Sequence, residues 1–359
     1  GAGACVMSEI TGIPSLKICI AALLPALLYY TSLVIRVHFI AIKDNVYGMK
    51  EDDMMVPLFT IMKDTYLLIP IICLVAMLLM GYSVFMGAMG AIVTSFVISF
   101  FKKKTAMTPV RLFEALQSAG QKMVMIALAC AGAGMVVAIV THTGLALGIA
   151  TLINNWSGGF LLPALVLIMG TSLILGMGMP CTPAYIIAVT IGGPALVTLG
   201  TDLLASHLLV FYCAILAEVT PPVCIPAYCA ASIAGSKPLQ TGFEAFKLAL
   251  VAFLIPLIFI YNPALLLNAG LLEIVSLVLV LLIAVVFLSA AITGYFFKIL
   301  SLIQRAVMAV AAIGAFVLCA HPDLVGRPVT LAGAVLVITG FFVWFFLRSR
   351  MTDPINVNT

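Results

Sequence analysis

Residues 161–235 read LLPALVLIMGTSLILGMGMPCTPAYIIAVTIGGPALVTLGTDLLASHLLVFYCAILAEVTPPVCIPAYCAASIAG. The stretch is apolar enough to lie in a bilayer, yet it breaks at Gly176-Met-Gly-Met-Pro180-Cys-Thr-Pro183 and again at Glu218-Val-Thr-Pro-Pro222. Proline lacks an amide donor and collides with the preceding turn, and glycine lets the chain leave helical geometry. Each break therefore frees backbone carbonyls and amides where bulk water is missing. Such groups are tolerated only when buried in protein or lining a wet cavity. Two breaks that both carry hydroxyls read as one polar site built from backbone. Discontinuous helices offer amides to anions and carbonyls to cations, the pattern of a secondary-transporter binding site. A pair of proline kinks with a packing role alone is the competing reading.

Composition agrees with a membrane setting. Hydrophobic residues make up 64% of 359 positions and charged residues 8%, against roughly half and a quarter in soluble domains. We therefore expect an all-α polytopic membrane protein, its many Gly, Ala and Ser residues allowing close helix packing in lipid. Nothing points to nucleic acid. The cysteines lie mostly inside apolar runs, and Cys224 and Cys229 lack CxxC spacing, so they read as small core residues. His38, His142, His207 and His321 show neither HExxH nor paired spacing, which argues against a metal centre.

The chain opens GAGACVMSEITGIP, in mid-motif, so we expect a longer protein with the rest of the site upstream of Gly1. Residues 1–15 read as the tail of a first-repeat broken helix. Residues 16–122 read as connecting and scaffold structure. They comprise a span at 16–39, a polar stretch at 41–64, a helical pair at 66–82 and 84–101, the Lys102-Lys103-Lys104 cluster, and an amphipathic interfacial helix from Arg111 to Lys122. Residues 123–262 read as a second transport repeat. It holds a span at 123–142 rich enough in small residues to break, a hairpin at 161–195, a broken helix at 203–234 and a span at 247–262. The arms of the hairpin are short for crossing, so a re-entrant form is expected. Residues 263–359 form a C-terminal extension with spans at 271–291, 306–320 and 328–347.

Placing the Lys102-Lys103-Lys104 loop in the cytoplasm puts every lysine and arginine except Lys17 and Arg327 on that side, with a cytoplasmic C-terminus. That split requires the 161–195 hairpin not to cross. An internal echo links Ser8-Glu-Ile-Thr-Gly12-Ile-Pro14 to Ser232-Ile-Ala-Gly235-Ser-Lys-Pro238 and points to an inverted repeat whose second half is present.

GMGMPCTPAYIIAV, GGPALVTLG, ASHLLVFYCAILAEVTPPVCIPAYCAASIAG and GFEAFKLAL, closing in YNPALLL, resemble the second half of the large permease subunit of tripartite ATP-independent periplasmic (TRAP) transporters. GYFFKILSLIQRAVM and the segment around HPDLVGRPVTLAG resemble the C-terminal extension of fused permeases that work with TAXI-type binding proteins. The resemblance implies a multi-pass protein of the bacterial inner (cytoplasmic) membrane. It would import a small organic anion from a periplasmic binding protein, coupled to sodium, by an elevator-like motion. Gly176, Gly178, Pro180, Thr182 and Pro183 would form the hairpin tip, and Thr220, Pro221 and Pro222 the facing broken helix. Relatives usually carry a small residue where Glu218 stands, which puts sodium coordination at that position in question.

Sodium is a hard cation and, by analogy with calcium and magnesium, takes several oxygens. Thr182, Thr220 and the carbonyls near Gly176, Gly178 and Val219 supply them on this reading. A helix N-terminus after Pro183 or Pro222 offers amides to a carboxylate. Glu218 has three open roles: cation ligand, proton carrier or scaffold hydrogen bond. Asp202 reads as a helix cap, with His207 at the same polar helix start. His142 reads as an interface residue, and Met177 and Met179 as packing at the tip. No cofactor is expected apart from the coupling ion.

Three alternatives stay open. A stand-alone sodium- or proton-coupled carboxylate carrier would use the same site without a binding protein. An intramembrane enzyme would use Glu218, His207 or Ser206, but no nucleophile, base and orienting group stand at motif spacing. A purely structural subunit would tolerate substitution of the glycines and prolines at the breaks.

Overall fold

The computed structural model describes residues 2–46, 65–101 and 106–320. In chain order its helices are α1 Ala2–Thr11, α2 Ser15–Ala21, α3 Leu23–Lys43, α4 Ile69–Leu79, α5 Val84–Ser99, α6 Pro109–His142, α7 Leu145–Trp156, α8 Leu161–Gly176, α9 Cys181–Thr198, α10 Leu203–Ala217, α11 Ile225–Ala234, α12 Pro238–Ala249, α13 Ile255–Tyr261, α14 Leu271–Thr293 and α15 Leu302–Ala320. Between α14 and α15 the chain makes a two-residue antiparallel pairing of Tyr295–Phe296 with Lys298–Ile299. Five of the described helical runs are long and apolar enough to cross a membrane: Ser15–Lys43, Cys181–Thr198, Pro238–Tyr261, Leu271–Thr293 and Leu302–Ala320. The protein is thus all-α and polytopic, as its composition requires.

Local signals explain most boundaries. Ser83 caps α5 by accepting from the Met86 amide, after a turn at Gly81 with φ +84°. Asp202 caps α10, its carboxylate accepting from the Ala205 amide at 3.1 Å. Helix α3 runs past the expected end of its span because Lys43 at its last turn donates to the Thr293 carbonyl at 2.8 Å.

One expectation is overturned. The interfacial helix at 111–122 and the span at 123–142 are a single helix, α6, which also carries the small-residue run 129–134 without a break. Glycine costs about 1 kcal/mol in a helix interior, and with no proline after Pro109 nothing removes an amide donor. A further difference is in the hairpin. Its second arm, α9, has 18 residues and suffices to cross by length and composition, whereas α8 has 16. The lysine cluster at 102–104, residues 47–64 and the span at 328–347 lie outside the described residues.

The described residues divide into two compact units, 2–20 with 65–101 and 106–243, and 21–46 with 244–320. In the first, α9 is the centre, packed against α1, α6, α7, α8 and α10. Leu165, Ile168, Ala184, Tyr185, Leu196, Leu209 and Val210 are fully buried there. Small residues permit the approach: a Cβ on Gly192 would lie 2.9 Å from Ile168 Cγ2 and 3.2 Å from Val210 Cγ2. In lipid such close contact, rather than escape from water, holds helices together.

In the second unit, α14 packs against α15 and α3 around Phe259, Ala284, Phe287 and Met308. Asn262 ties its ends together. Its Nδ2 donates to the Cys319 carbonyl at 2.9 Å, and its Oδ1 accepts from the Ala264 amide at 3.1 Å.

Candidate functional site: two helix breaks

Helix α8 stops at Gly176 and α9 begins at Cys181, so the tip is the four residues Met177 to Pro180. Gly178 turns the chain with φ +80° and has open space around it. The Met179 amide donates to the Gly176 carbonyl at 3.4 Å, and Pro180, the N-cap of α9, accepts from Ala184 at 3.2 Å. The helix thus starts ahead of Pro183, which is buried inside its first turn. The sequence expectation of a free N-terminus after Pro183 is corrected to one beginning at Cys181.

At the second break α10 ends at Ala217 and α11 resumes at Ile225. The helix again starts later than expected, three residues past Pro222, and Pro226 leaves Ile225 and Ala227 as the amides of its first turn. The loop between is closed by its own side chains. Thr220 Oγ1 donates to the Leu216 carbonyl at 2.7 Å, and the Cys224 thiol donates to the Val219 carbonyl at 3.2 Å. Tyr228 Oη donates to the Pro222 carbonyl. The Val223 amide donates to the Thr220 carbonyl at 3.3 Å.

The two breaks meet on one side. A Cβ on Gly176 would lie 2.8 Å from Ala217 Cβ and 3.5 Å from Ala214 Cα, so only glycine fits the tip against α10 at this spacing. The next residue after Ala217 is Glu218, whose half-buried carboxyl lies near the Cys181 backbone amide. Pro180 has no N–H, so Cys181 carries the first free amide of α9. A carboxylate there meets the positive end of the helix dipole, an interaction of about 0.3–1 kcal/mol at exposed sites and up to ~2 where partly buried.

Of the expected site residues, Gly176 and Glu218 are therefore brought together across the two elements. Thr182 and Thr220 are half-buried, and no hydrogen bond joins them. The Thr220 hydroxyl gives its proton to Leu216, which leaves its lone pairs for a cation. Among the described residues no backbone amide donates to the carbonyls of Gly178, Glu218 or Pro221. Among the same residues no cluster of three or more His, Cys, Asp or Glu has metal-holding geometry. The oxygens on offer are carbonyls, hydroxyls and one carboxyl, a donor set that suits a hard cation.

A structural pair escaped the sequence reading. His207 is buried, and its Nδ1 lies 2.7 Å from Tyr185 Oη, tying α9 to α10, with Phe211 edge-on to the Tyr185 ring at 5.4 Å. Its partner stands 22 residues away on another helix, so no local spacing signals it. A cavity of about 340 Å³ lies apart from both breaks, lined by Cys5, Ser8, Glu9, Pro14, Tyr82 and Ser83 among others.

The stretches that echo in sequence also end alike. Helix α1 finishes at Gly12 with φ +71° and α11 at Gly235 with φ +65°, each shortly before a proline and the next helix.

No curated protein and no solved structure matches the chain significantly. Residues 2–274, which contain both breaks and α1 to α13, match the family described as Tripartite ATP-independent periplasmic transporter, DctM component. The match spans well over half of the chain, and the chain belongs to that family of transporter permease components.

Proposed function

We propose that the protein is the permease of a sodium-coupled importer. It would take small organic anions, carboxylates, from a TAXI-type periplasmic binding protein and carry them across the bacterial inner membrane. The observation that carries this reading is the meeting of the hairpin tip with the second break. There the free amide of Cys181, the Glu218 carboxyl and the unbonded carbonyls of Gly178 and Glu218 belong to adjoining segments. Sodium binds the carbonyls with Thr182 and Thr220, and Pro180, Pro183, Pro221 and Pro222 hold the breaks open. The substrate carboxylate is met by helix amides and bound sodium, because neither break contains a lysine or arginine. The matching ends of α1 and α11 support an inverted repeat, with the 161–195 hairpin re-entrant and moving as part of an elevator.

A specific observation favours one second reading. Glu218 is an ionisable group at the junction, so proton coupling through it is the alternative to sodium. Sodium-dependent thermal stabilisation of the purified full-length protein, with potassium as control, separates the two. We expect stabilisation by sodium alone, lost in Thr220→Ala, with Glu218→Ala reporting whether the carboxylate takes part. Equal behaviour in sodium and potassium for all three proteins removes the sodium reading. Uptake driven by a pH gradient and lost in Glu218→Gln then establishes the proton-coupled one.

A further inference from the structure

Among the described residues, the second unit contains a buried cation without a hydrogen-bonded counter-ion. Arg36, on the apolar helix α3, is 2% exposed, and neither its Nε nor its Nη1 has a hydrogen-bond partner. Ser289 Oγ and Thr293 Oγ1 of α14 are buried and equally unpartnered. Elsewhere in the apolar helices hydroxyls donate to the carbonyl one turn back, as Thr31 does to Leu27 at 2.7 Å and Thr190 to Ile186 at 2.8 Å. Ser289 and Thr293 forgo this.

These groups belong to packed neighbours. The bond from Lys43 Nζ to the Thr293 carbonyl and the Phe39–Phe296 ring contact at 6.0 Å set the C-terminal ends of α3 and α14 side by side. Arg36 is two turns before Lys43, about 10 Å along the same helix face. That distance brings its side chain level with the last turns of α14. Ser289 and Thr293, one turn apart, share a face of that helix.

The last carbonyls of α14 are already served by cations. Arg305 donates from Nε to Ala291 at 2.8 Å and from Nη2 to Ile292 at 3.1 Å, and Lys43 serves Thr293. The carboxylate in electrostatic range of Arg36 is Glu244, which is exposed and bound to Lys247 at 2.7 Å. What remains among the described residues is one guanidinium and two hydroxyls, a set with positive charge and no facing carboxylate. A buried charge in this state is costly unless an opposite charge with hydrogen-bond acceptors meets it.

We propose that Arg36, Ser289 and Thr293 form a buried oxyanion site that takes a phosphate group. The source is either the headgroup of an anionic phospholipid or free inorganic phosphate. Charge-assisted bonds from a guanidinium to phosphate oxygens supply the affinity, and the nearby basic end of α3 sets the site toward headgroup depth.

The test uses the full-length protein in neutral detergent, with melting temperature and native mass spectrometry as readouts. The probes are phosphatidylglycerol, diacylglycerol, which lacks the phosphate, and inorganic phosphate. We expect phosphatidylglycerol to raise the melting temperature and to persist as a bound adduct. Arg36→Gln should weaken this by roughly tenfold or more, the worth of a hydrogen bond to a charged group. Ser289→Ala with Thr293→Val, which leaves the buried charge in place, should weaken it as well and covers the case in which Arg36→Gln fails to fold. An equal response to inorganic phosphate supports the site and identifies a free anion as its occupant. An equal response to diacylglycerol, or responses unchanged in the hydroxyl variant, overturns the proposal. So does a loss of stability in Glu244→Gln as large as that in Arg36→Gln, which makes Arg36 a counter-charge to Glu244.

Discussion

The two breaks in the 161–235 stretch meet the same backbone difficulty in opposite ways. At the hairpin tip the turn is short, Gly178 stands in open space with a left-handed backbone, and the Glu218 carboxyl, just past the end of α10, lies near the first amide of α9. At 218–224 the loop is longer and closes on itself through Thr220, Cys224 and Tyr228. Gly242 backs that closure: a Cβ there would lie 3.1 Å from the Tyr228 ring and 3.2 Å from Cys224 Sγ. A loop closed by its own side chains keeps its path, whereas a turn that borrows a partner can exchange it for a ligand. On the proposed function the tip is therefore the half that moves, and Glu218 is the group that stands between the two.

The largest effect is expected where the halves touch. Gly176→Val places a branched side chain where even a Cβ lies 2.8 Å from Ala217, overpacking that typically costs about 1–3 kcal/mol. Uptake in proteoliposomes should be lost and the melting temperature lowered. Unimpaired uptake with an unchanged melting temperature would show that the tip and the second break do not work as one unit.

Gly178 tests the tip by itself. With no heavy atom near its Cβ position, Gly178→Ala acts only through the backbone, and the left-handed conformation costs roughly 1–2 kcal/mol for an L-residue. Asparagine tolerates that conformation better. Melting temperatures should fall in the order wild type, Gly178→Asn, Gly178→Ala. An alanine variant as stable as wild type means the tip adopts another backbone, and the comparison fails at its open half.

Both breaks were legible because their cause is local. Proline and glycine act on the residues beside them, so GMGMP and TPP mark interruptions without any knowledge of neighbours, and Asp202 announces its cap in the same way. Where the chain resumes was less legible. The helix starts at Cys181 and Ile225 depend on which residue first finds a carbonyl partner, and at Ile225 on side chains that reach back from Cys224 and Tyr228. Continuity of α6 was missed because glycine and alanine runs weaken a helix by small increments without removing a donor.

Pairings across elements left no trace in spacing. His207 with Tyr185 is one, and the burial of Arg36, which the charge pattern placed among the cytoplasmic cations, is another. Glu218 was marked by its cost in a membrane, but its role beside Cys181 required the hairpin to be folded.

The smallest effect should come from the closed break. Tyr228→Phe removes one donor from the Pro222 carbonyl and nothing else, a change worth about 0.5–1.5 kcal/mol. Because the Thr220 and Cys224 bonds remain, the loop should keep its path, and the sodium response of the melting temperature should match wild type after a uniform offset. A shift in the sodium dependence itself would mean that the Pro222 carbonyl and the tip share an ion. The Pro222 carbonyl would then join Thr220 in the cation site, and a shared ion as well as Glu218 would link the two breaks.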